Sequence, residues 1–515
     1  MFTLRAISLV IILNIFLFIN AEGQNKIVIN ADLGTQKINK EIYGQFAEHL
    51  GHCIYGGIWV GENSKIPNTR GIRNDVVNAL KEIDVPVVRW PGGCFADTYH
   101  WKDGIGPRDQ RPSIVNTNWG GVTEDNSFGT HEFLDFCNMI GAEPYICVNV
   151  GSGTVQEAAQ WVEYVNSSNK SPMTELRKKN GREKPWHVKY WAVGNESWGC
   201  GGSMTPEYYS DVFKRFSTFM RSGNIYKVAS GGTDADFNWT ETVLKQTQAH
   251  RNLIQGYSFH YYTVAHGWND KGSATNFNED DWFGTMKNTL VMEDRLERHI
   301  ALMDEYDPDN RIGLIADEWG NWFNVEPGTN PGFLLQQNTL RDAVTAALYL
   351  NIFNNHARRV KMANIAQLVN VLQSMLLTND EQIVKTPTFY VFKMYKVHHE
   401  ATLLPINVKC QDYKYDGNTL PSISASASED STGKIHISLA NIDPDNNRNV
   451  EIDLRGSKPL GTGNGEIITS QHMNDYNDFG KQEKVDIKNF SDFHLQNNIL
   501  ILNLPSKSVV TVELY

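Results

Sequence analysis

Cysteine is scarce in this chain: six in 515 residues, Cys53, Cys94, Cys137, Cys147, Cys200 and Cys410. None stands in a C-x-x-C pair, so zinc-ribbon and thioredoxin-like chemistry have no residues to work with. An oxidising compartment would permit disulfides, but spacing leaves their pairing open. Positive charge is also short. Lys and Arg number 47 against 59 Asp and Glu, a formal net charge of −12. That balance argues against the basic face that nucleic acid or an anionic membrane would require. No G-x-G-x-x-G loop follows the first strand-like run, and no cluster of metal-ligating side chains stands out, so neither cofactor nor metal is expected. Beyond the N-terminus no apolar run reaches the ~20 residues of a membrane-spanning helix. Internal repeats, low-complexity tracts and long linkers are missing too.

What is present reads as a globular protein of two or three domains. Hydrophobic residues make up 41% and charged residues 21% of the chain, enough for large cores. The one long apolar run lies at the N-terminus. Arg5 precedes Ile7 to Ile19, interrupted only by Ser8 and Asn14, and the small residues Ala21 and Gly23 follow. This is the pattern of a signal peptide over residues 1–23. It predicts a secreted or periplasmic protein with no membrane attachment after cleavage.

From about residue 42 to 370, short β-branched or aromatic runs alternate with amphipathic helical stretches. The expected strands are Ile42–Glu48, Val85–Trp90, Pro144–Val150, Val188–Asn195, Lys227–Gly231, Gly256–Tyr261, Ile312–Glu318 and Val360–Gln367. Thr205-Pro206 opens a helix with a capping hydroxyl and a first-turn proline, and Tyr209, Val212, Phe213, Phe216 and Met220 give it one apolar face. Eight such units fit a (β/α)8 barrel of the α/β class, expected over 42–390. An open doubly wound sheet would need the glycine loop that is missing. After about residue 395 the period becomes two, as in Ile435/Ile437/Leu439 and Val510/Val512/Leu514, which predicts a C-terminal antiparallel β-sandwich over 391–515. The segment 24–41 looks strand-like and is expected to join that sandwich.

Two glutamates sit where a barrel places its chemistry, at the C-terminal ends of strands. Glu196 ends the fourth expected strand in the context G-N-E. Glu318 ends the seventh in D-E-W-G. Cleaving a glycosidic bond needs one carboxyl to protonate the leaving oxygen and another to face the developing oxocarbenium ion. A lone strand-end glutamate is commonly an ordinary salt-bridged residue. Two on one rim point to a glycoside hydrolase.

The same stretches resemble clan A glycoside hydrolases, and the match sharpens to glycoside hydrolase family 51, the α-L-arabinofuranosidases. The similarity lies in F-A-E-H-L-G from Phe46, R-W-P-G-G-C-F from Arg89, and W-K-D-G-I-G-P from Trp101 with Arg111-Pro112. It continues in Gly194-Asn195-Glu196, Asp317-Glu318-Trp319 and A-Q-L-V-N from Ala366. The resemblance implies a retaining enzyme that releases terminal non-reducing α-L-arabinofuranosyl residues from arabinan, arabinoxylan or their oligosaccharides. In it Glu196 is the acid/base and Glu318 the nucleophile. Glu48, Asn195 and Gln367 correspond to sugar-binding residues, and Tyr262 to a tyrosine that supports the nucleophile, with Tyr261 the alternative if the alignment slips by one. Arg89, a charge inside a barrel, needs a carboxylate partner, and Glu318 is the obvious one. Cys94 stands where many members have an asparagine that contacts the sugar; a thiol is a poor hydrogen-bond partner, so that contact is in question. Trp90, Trp101, Trp119, Trp198 and Trp322 are candidates for stacking on sugar, with core packing the competing role for each. His260 is expected to be a satisfied buried histidine. Relatives are often homo-oligomers.

The nearest competing function keeps the mechanism and changes the sugar, as an endo-β-1,4-glucanase or a β-xylosidase would. A different class is a carbohydrate-binding protein on an inactive barrel, against which both carboxylates stand.

Overall fold

The computed structural model describes residues 25–458 and 461–515. The expected signal peptide, residues 1–23, lies outside them. Among the described residues no helix is long and apolar enough to cross a membrane.

Eight parallel strands close into a barrel in sequence order: β1 Gly44–Phe46, β2 Val87–Trp90, β3 Glu143–Val148, β4 Tyr190–Val193, β5 Tyr226–Ala229, β6 Gly256–Thr263, β7 Gly313–Asn321 and β8 Val360–Ala366. Closure comes from β8 pairing with β1, Asn364 opposite Gly44 and Ala366 opposite Phe46. All eight expected strands are found, several of them shorter than the sequence runs. Alternation along each strand sorts side chains into two cores. On β2, Val87 joins the barrel interior with Tyr145, Tyr190, Ala192, Val228, Ile315 and Met362, while Val88 and Trp90 join the layer between strands and helices. Trp90 stacks on Phe133 of the helix Thr130–Ile140, with ring centroids 4.8 Å apart. The helix Pro206–Phe219 starts as its sequence dictates, the Thr205 side chain accepting from the Tyr208 N–H with Pro206 in the first turn.

The strand β7 breaks the alternation. Its pairing with β6 runs from Ile315 opposite Ser258 to Glu318 opposite His260. Against β8 it runs from Ala316 opposite Ala363 to Trp319 opposite Ile365. In both cases β7 spends three residues where its neighbour spends two. An extra residue of this kind is a bulge, which re-aims the side chains beside it.

The period-two segments form two facing sheets. One contains Ile406–Lys409, Asn25–Asn30, Arg448–Arg455, Ile499–Leu504 and Phe493–Gln496; the other is built on Ile423–Glu429, Ile435–Asn441, Ser508–Leu514 and Thr462–Ile468. Ile27, Ile437, Val450, Leu502 and Val512 meet in the core between them. One pairing is parallel: Asn25–Asn30 runs alongside Arg448–Arg455. The helix Leu340–Asn355 lies between barrel and sandwich and is buried on nearly all sides. It therefore shows no amphipathic stripe. Asn351 and Asn354 on it donate to Ser424 and Ser426 of the sandwich.

Candidate active site

A cavity of about 640 Å³ opens at the C-terminal ends of the barrel strands. Glu48, Cys94, Asn195, Glu196, Tyr262, Glu318 and Gln367 all line it; Arg89 lies beneath them, fully buried. A carboxylate oxygen of Glu196 and one of Glu318 lie within 4.8 Å of each other, and a His260 ring nitrogen lies within the same distance of both.

Glu318 is held from three sides. Arg89 Nη1 donates to its Oε1 at 2.7 Å, Tyr262 Oη donates to its Oε2 at 2.8 Å, and His260 Nδ1 stands 3.6 Å from Oε2. Tyr261, the alternative, turns away and donates to the Asn288 carbonyl. Arg89 Nη2 also donates to Asn195 Oδ1 at 2.6 Å, which fixes the amide, and its Nδ2 lies 3.8 Å from the Cys200 sulfur. Glu196 meets His260 Nδ1 at 3.0 Å through its Oε1.

Glu48 sits in a cage of donors. The N–H groups of Gly93 and Phe95 and the Trp119 indole all reach its Oε1, and Gln367 Nε2 reaches its Oε2 at 3.1 Å. None of these partners is an arginine, so the ordinary ion-pair role does not describe this residue. The Gln367 Oε1 is buried and without a protein partner, an acceptor that a ligand hydroxyl could satisfy. Burial first, then the neighbouring Glu318 charge, pushes the Glu48 carboxyl from 4.5 up to about 7. The folded protein therefore holds this proton more tightly than the unfolded chain. The associated stability, on the order of 3 kcal/mol, is fully present below about 4.5 and lost as pH rises through about 7. In Glu48→Gln the fall in melting temperature across that window is expected to be shallower than in the parent protein; an unchanged slope would count against this assignment.

The positive charges have a dedicated partner. Asp317 accepts from Tyr145 Oη and Ser258 Oγ and lies 3.2 Å from His260 Nε2 and 3.5 Å from Arg89 Nε. Burial opposes its charge, but Arg89 and His260 outweigh that and hold the carboxyl at about 2. His260 behaves in the converse way. Burial disfavours an imidazolium, yet the Glu318 charge and the hydrogen bonds to Asp317 and Glu196 raise it to about 10. A cationic ring thus bridges both carboxylates. Such a mouth can stabilise a cationic transition state while handing a proton to a leaving oxygen.

Residues 79–267 match a family model described as the α-L-arabinofuranosidase 1 domain, and residues 317–508 match the α-L-arabinofuranosidase C-terminal domain. The chain is 55% identical over 501 residues to an intracellular exo-α-L-arabinofuranosidase of Bacteroides ovatus, covering 96% of each. The chain belongs to the α-L-arabinofuranosidases of glycoside hydrolase family 51. Among solved structures, the family 51 arabinofuranosidase of Xanthomonas axonopodis pv. citri superposes with a TM-score of 0.94 at 45% identity, over 96% of this chain and all of that one. An arabinose complex of the Thermotoga maritima α-L-arabinofuranosidase gives 0.84 at 30% identity, over 95% and 99%.

Membership corrects one expectation. Export to the periplasm or the medium does not stand, because the relative that is 55% identical is named an intracellular enzyme. A second is corrected by this arabinofuranosidase's own geometry, and a third is extended. Cys94 offers no thiol to a sugar, since it is disulfide-bonded to Cys200; Cys200 carried no signal beyond being a cysteine. His260 is buried and hydrogen-bonded as expected, but it lies at the centre of the site, and period two could have placed it there: Ser258, His260 and Tyr262 share one face of β6, and all three touch Asp317, Glu196 or Glu318. Of the tryptophans, Trp90 and Trp101 are core residues, whereas Trp119, Trp198 and Trp322 line the cavity. Trp268, which has no neighbouring motif, joins them from an exposed loop, edge-on to Trp322 at 5.5 Å.

Proposed function

We propose that the protein removes terminal non-reducing α-L-arabinofuranosyl groups from arabinan- or arabinoxylan-type chains by double displacement, with Glu318 as nucleophile and Glu196 as acid/base. The observation that carries this is the approach of the two carboxylates to within 4.8 Å. Retaining glycosidases keep their carboxyls about 5–5.5 Å apart, whereas inverting enzymes need about 6.5–9.5 Å to admit a water between them.

In the first step Glu318 attacks the anomeric carbon as Glu196 gives its proton to the departing oxygen. The ester that forms removes one negative charge from beside Glu196, and the proton transfer leaves Glu196 as a carboxylate facing the incoming water. In the second step Glu196 deprotonates water, and water displaces Glu318, so configuration is retained. Asn195 Nδ2, the Gln367 carbonyl oxygen and the Glu48 carboxylate supply the donor and two acceptors for furanose hydroxyls. Tyr262 shares its hydroxyl proton with Glu318, and Tyr262→Phe is expected to lower kcat by about 10- to 100-fold, in line with the loss of one preorganised donor. Steady-state kinetics on an aryl arabinofuranoside measures it; a change confined to KM would speak against the contact.

The decisive experiment is trapping with a mechanism-based arabinofuranosyl inhibitor and sequencing the labelled peptide. Label on Glu318 is the expected result. Label elsewhere overturns the roles, and labelling only by a xylosyl or glucosyl analogue overturns the sugar.

A further inference from the structure

The acid/base glutamate occupies an unfavourable backbone position. Glu196 has φ +37°, in the left-handed region that an L-residue with a Cβ avoids. Within the segment the Gly199 and Gly201 N–H groups donate to the Glu196 carbonyl at 2.8 and 3.1 Å, but Gly194, Gly199, Gly201 and Gly202 all fall within nine residues, and glycine loses most freedom on ordering. A strained conformation persists only where its surroundings fix it.

His260 holds the Glu196 side chain, and one short element holds the backbone on either side of it, the 3-10 turn Cys94–Thr98 that follows β2. From this turn the buried Asp97 carboxylate reaches across the rim. Its Oδ2 accepts the Asn195 N–H at 3.1 Å, immediately before Glu196, and its Oδ1 accepts the Val150 and Gly151 N–H groups at 2.8 and 2.9 Å. Three residues earlier in the same turn, Cys94 is bonded to Cys200. The loop Asn195–Cys200 is therefore gripped at both ends by residues three apart on one turn, with Glu196 between the grips. The Cys200 sulfur is also 3.7 Å from Glu196 Oε2. Gly201 closes the arrangement, because a Cβ there would stand 1.9 Å from the Asn195 carbonyl oxygen and 2.8 Å from Asp97 Oδ2.

We propose that the Cys94–Cys200 disulfide and Asp97 form a clamp that positions Glu196 for proton transfer, making all three positioning residues of the reaction. The proposal rests on the assignment of Glu196 as acid/base. It also gives Cys94 a task other than contact with the sugar, since its sulfur is committed to Cys200.

The test compares two substrates, an arabino-oligosaccharide, whose leaving alcohol needs a proton, and a 2,4-dinitrophenyl arabinofuranoside, whose leaving group does not. Cys200→Ser is expected to lower kcat/KM on the oligosaccharide about 10- to 100-fold while changing that on the dinitrophenyl glycoside by less than about 3-fold, with the basic limb of the pH profile displaced. Reduction of the parent enzyme by dithiothreitol should do the same reversibly: the S–S bond becomes two thiols, and the reagent becomes its cyclic disulfide. The remaining four cysteines are free thiols, and Cys410→Ser in the sandwich should be indistinguishable from the parent. Asp97→Asn is expected to show the same substrate split; if that variant does not fold, reduction of the parent still decides. Equal losses on both substrates, or none, overturn the clamp. The parent assignment fails separately, if Glu196→Ala shows no such split.

Discussion

Glu318→Ala is expected to be the most damaging single substitution in this protein, lowering kcat by about 10⁵-fold, the scale on which a covalent nucleophile is lost. The residue has no substitute. Arg89, Tyr262 and His260 surround it as donors, placed to hold a carboxylate and not to replace one. The folded state should survive, with one cost: the variant leaves Arg89 with fewer partners, so a modest drop in melting temperature is expected, softened because Asp317 still faces the guanidinium. Added azide should restore turnover by entering the vacated space from the nucleophile's face, giving the β-L-arabinofuranosyl azide. Proton NMR of the product reads the configuration. Activity within tenfold of the parent, or an azide product of retained configuration, would remove Glu318 from the role.

Glu196→Ala should fail differently, because its work depends on the leaving group. On arabino-oligosaccharides kcat/KM is expected to fall about 10²- to 10⁴-fold, the range for a general acid. On a dinitrophenyl arabinofuranoside the first step should be nearly unaffected and the second slow, so that glycosyl-enzyme accumulates and a burst appears. Azide should here relieve the second step and yield the α-L-arabinofuranosyl azide, the opposite configuration from that produced with Glu318→Ala. Mass spectrometry of the quenched enzyme detects the accumulated intermediate. A uniform loss on both substrates would contradict the acid/base assignment.

The two variants distinguish functions that the local sequence could not separate. Glu196 and Glu318 each end an apolar strand, and a strand end alone does not say which carboxyl carries a proton. Their surroundings differ in the folded protein: Glu318 touches a guanidinium and a phenol, while Glu196 touches a bridging imidazole and is more open to solvent, its side chain 22% exposed against 7%. A proton donor that must reach a departing group belongs at the open edge, and a nucleophile belongs where fixed charges hold it.

Much of the framework was legible along the chain, and for particular reasons. Runs such as Tyr190–Val193 and Gly313–Ala316 are apolar on both faces because a barrel strand is buried on both. In the sandwich Val450, Ile452 and Leu454 alternate with Glu451, Asp453 and Arg455 because one face meets the opposing sheet. The helix Leu340–Asn355 resisted interpretation because it is covered on all sides and carries no periodic polar face. Trp268 was silent because a loop tryptophan has no period to betray which way it faces.

By itself the sequence determined the barrel, the sandwich and the identity of the residues at the strand ends, since these follow from burial pattern and residue chemistry that local order expresses directly. Only the tertiary structure decided how those residues meet. Strict alternation would send Asp317 and Glu318 to opposite faces of β7; the extra residue against both neighbouring strands turns both carboxylates into the mouth, one to neutralise Arg89 and His260 and one to face the cavity. The pairing of Cys94 with Cys200 was likewise invisible, because 106 residues separate them and only closure of the barrel brings the turn after β2 against the loop after β4. Registers and loop encounters are properties of neighbouring strands, and no single stretch of chain contains them.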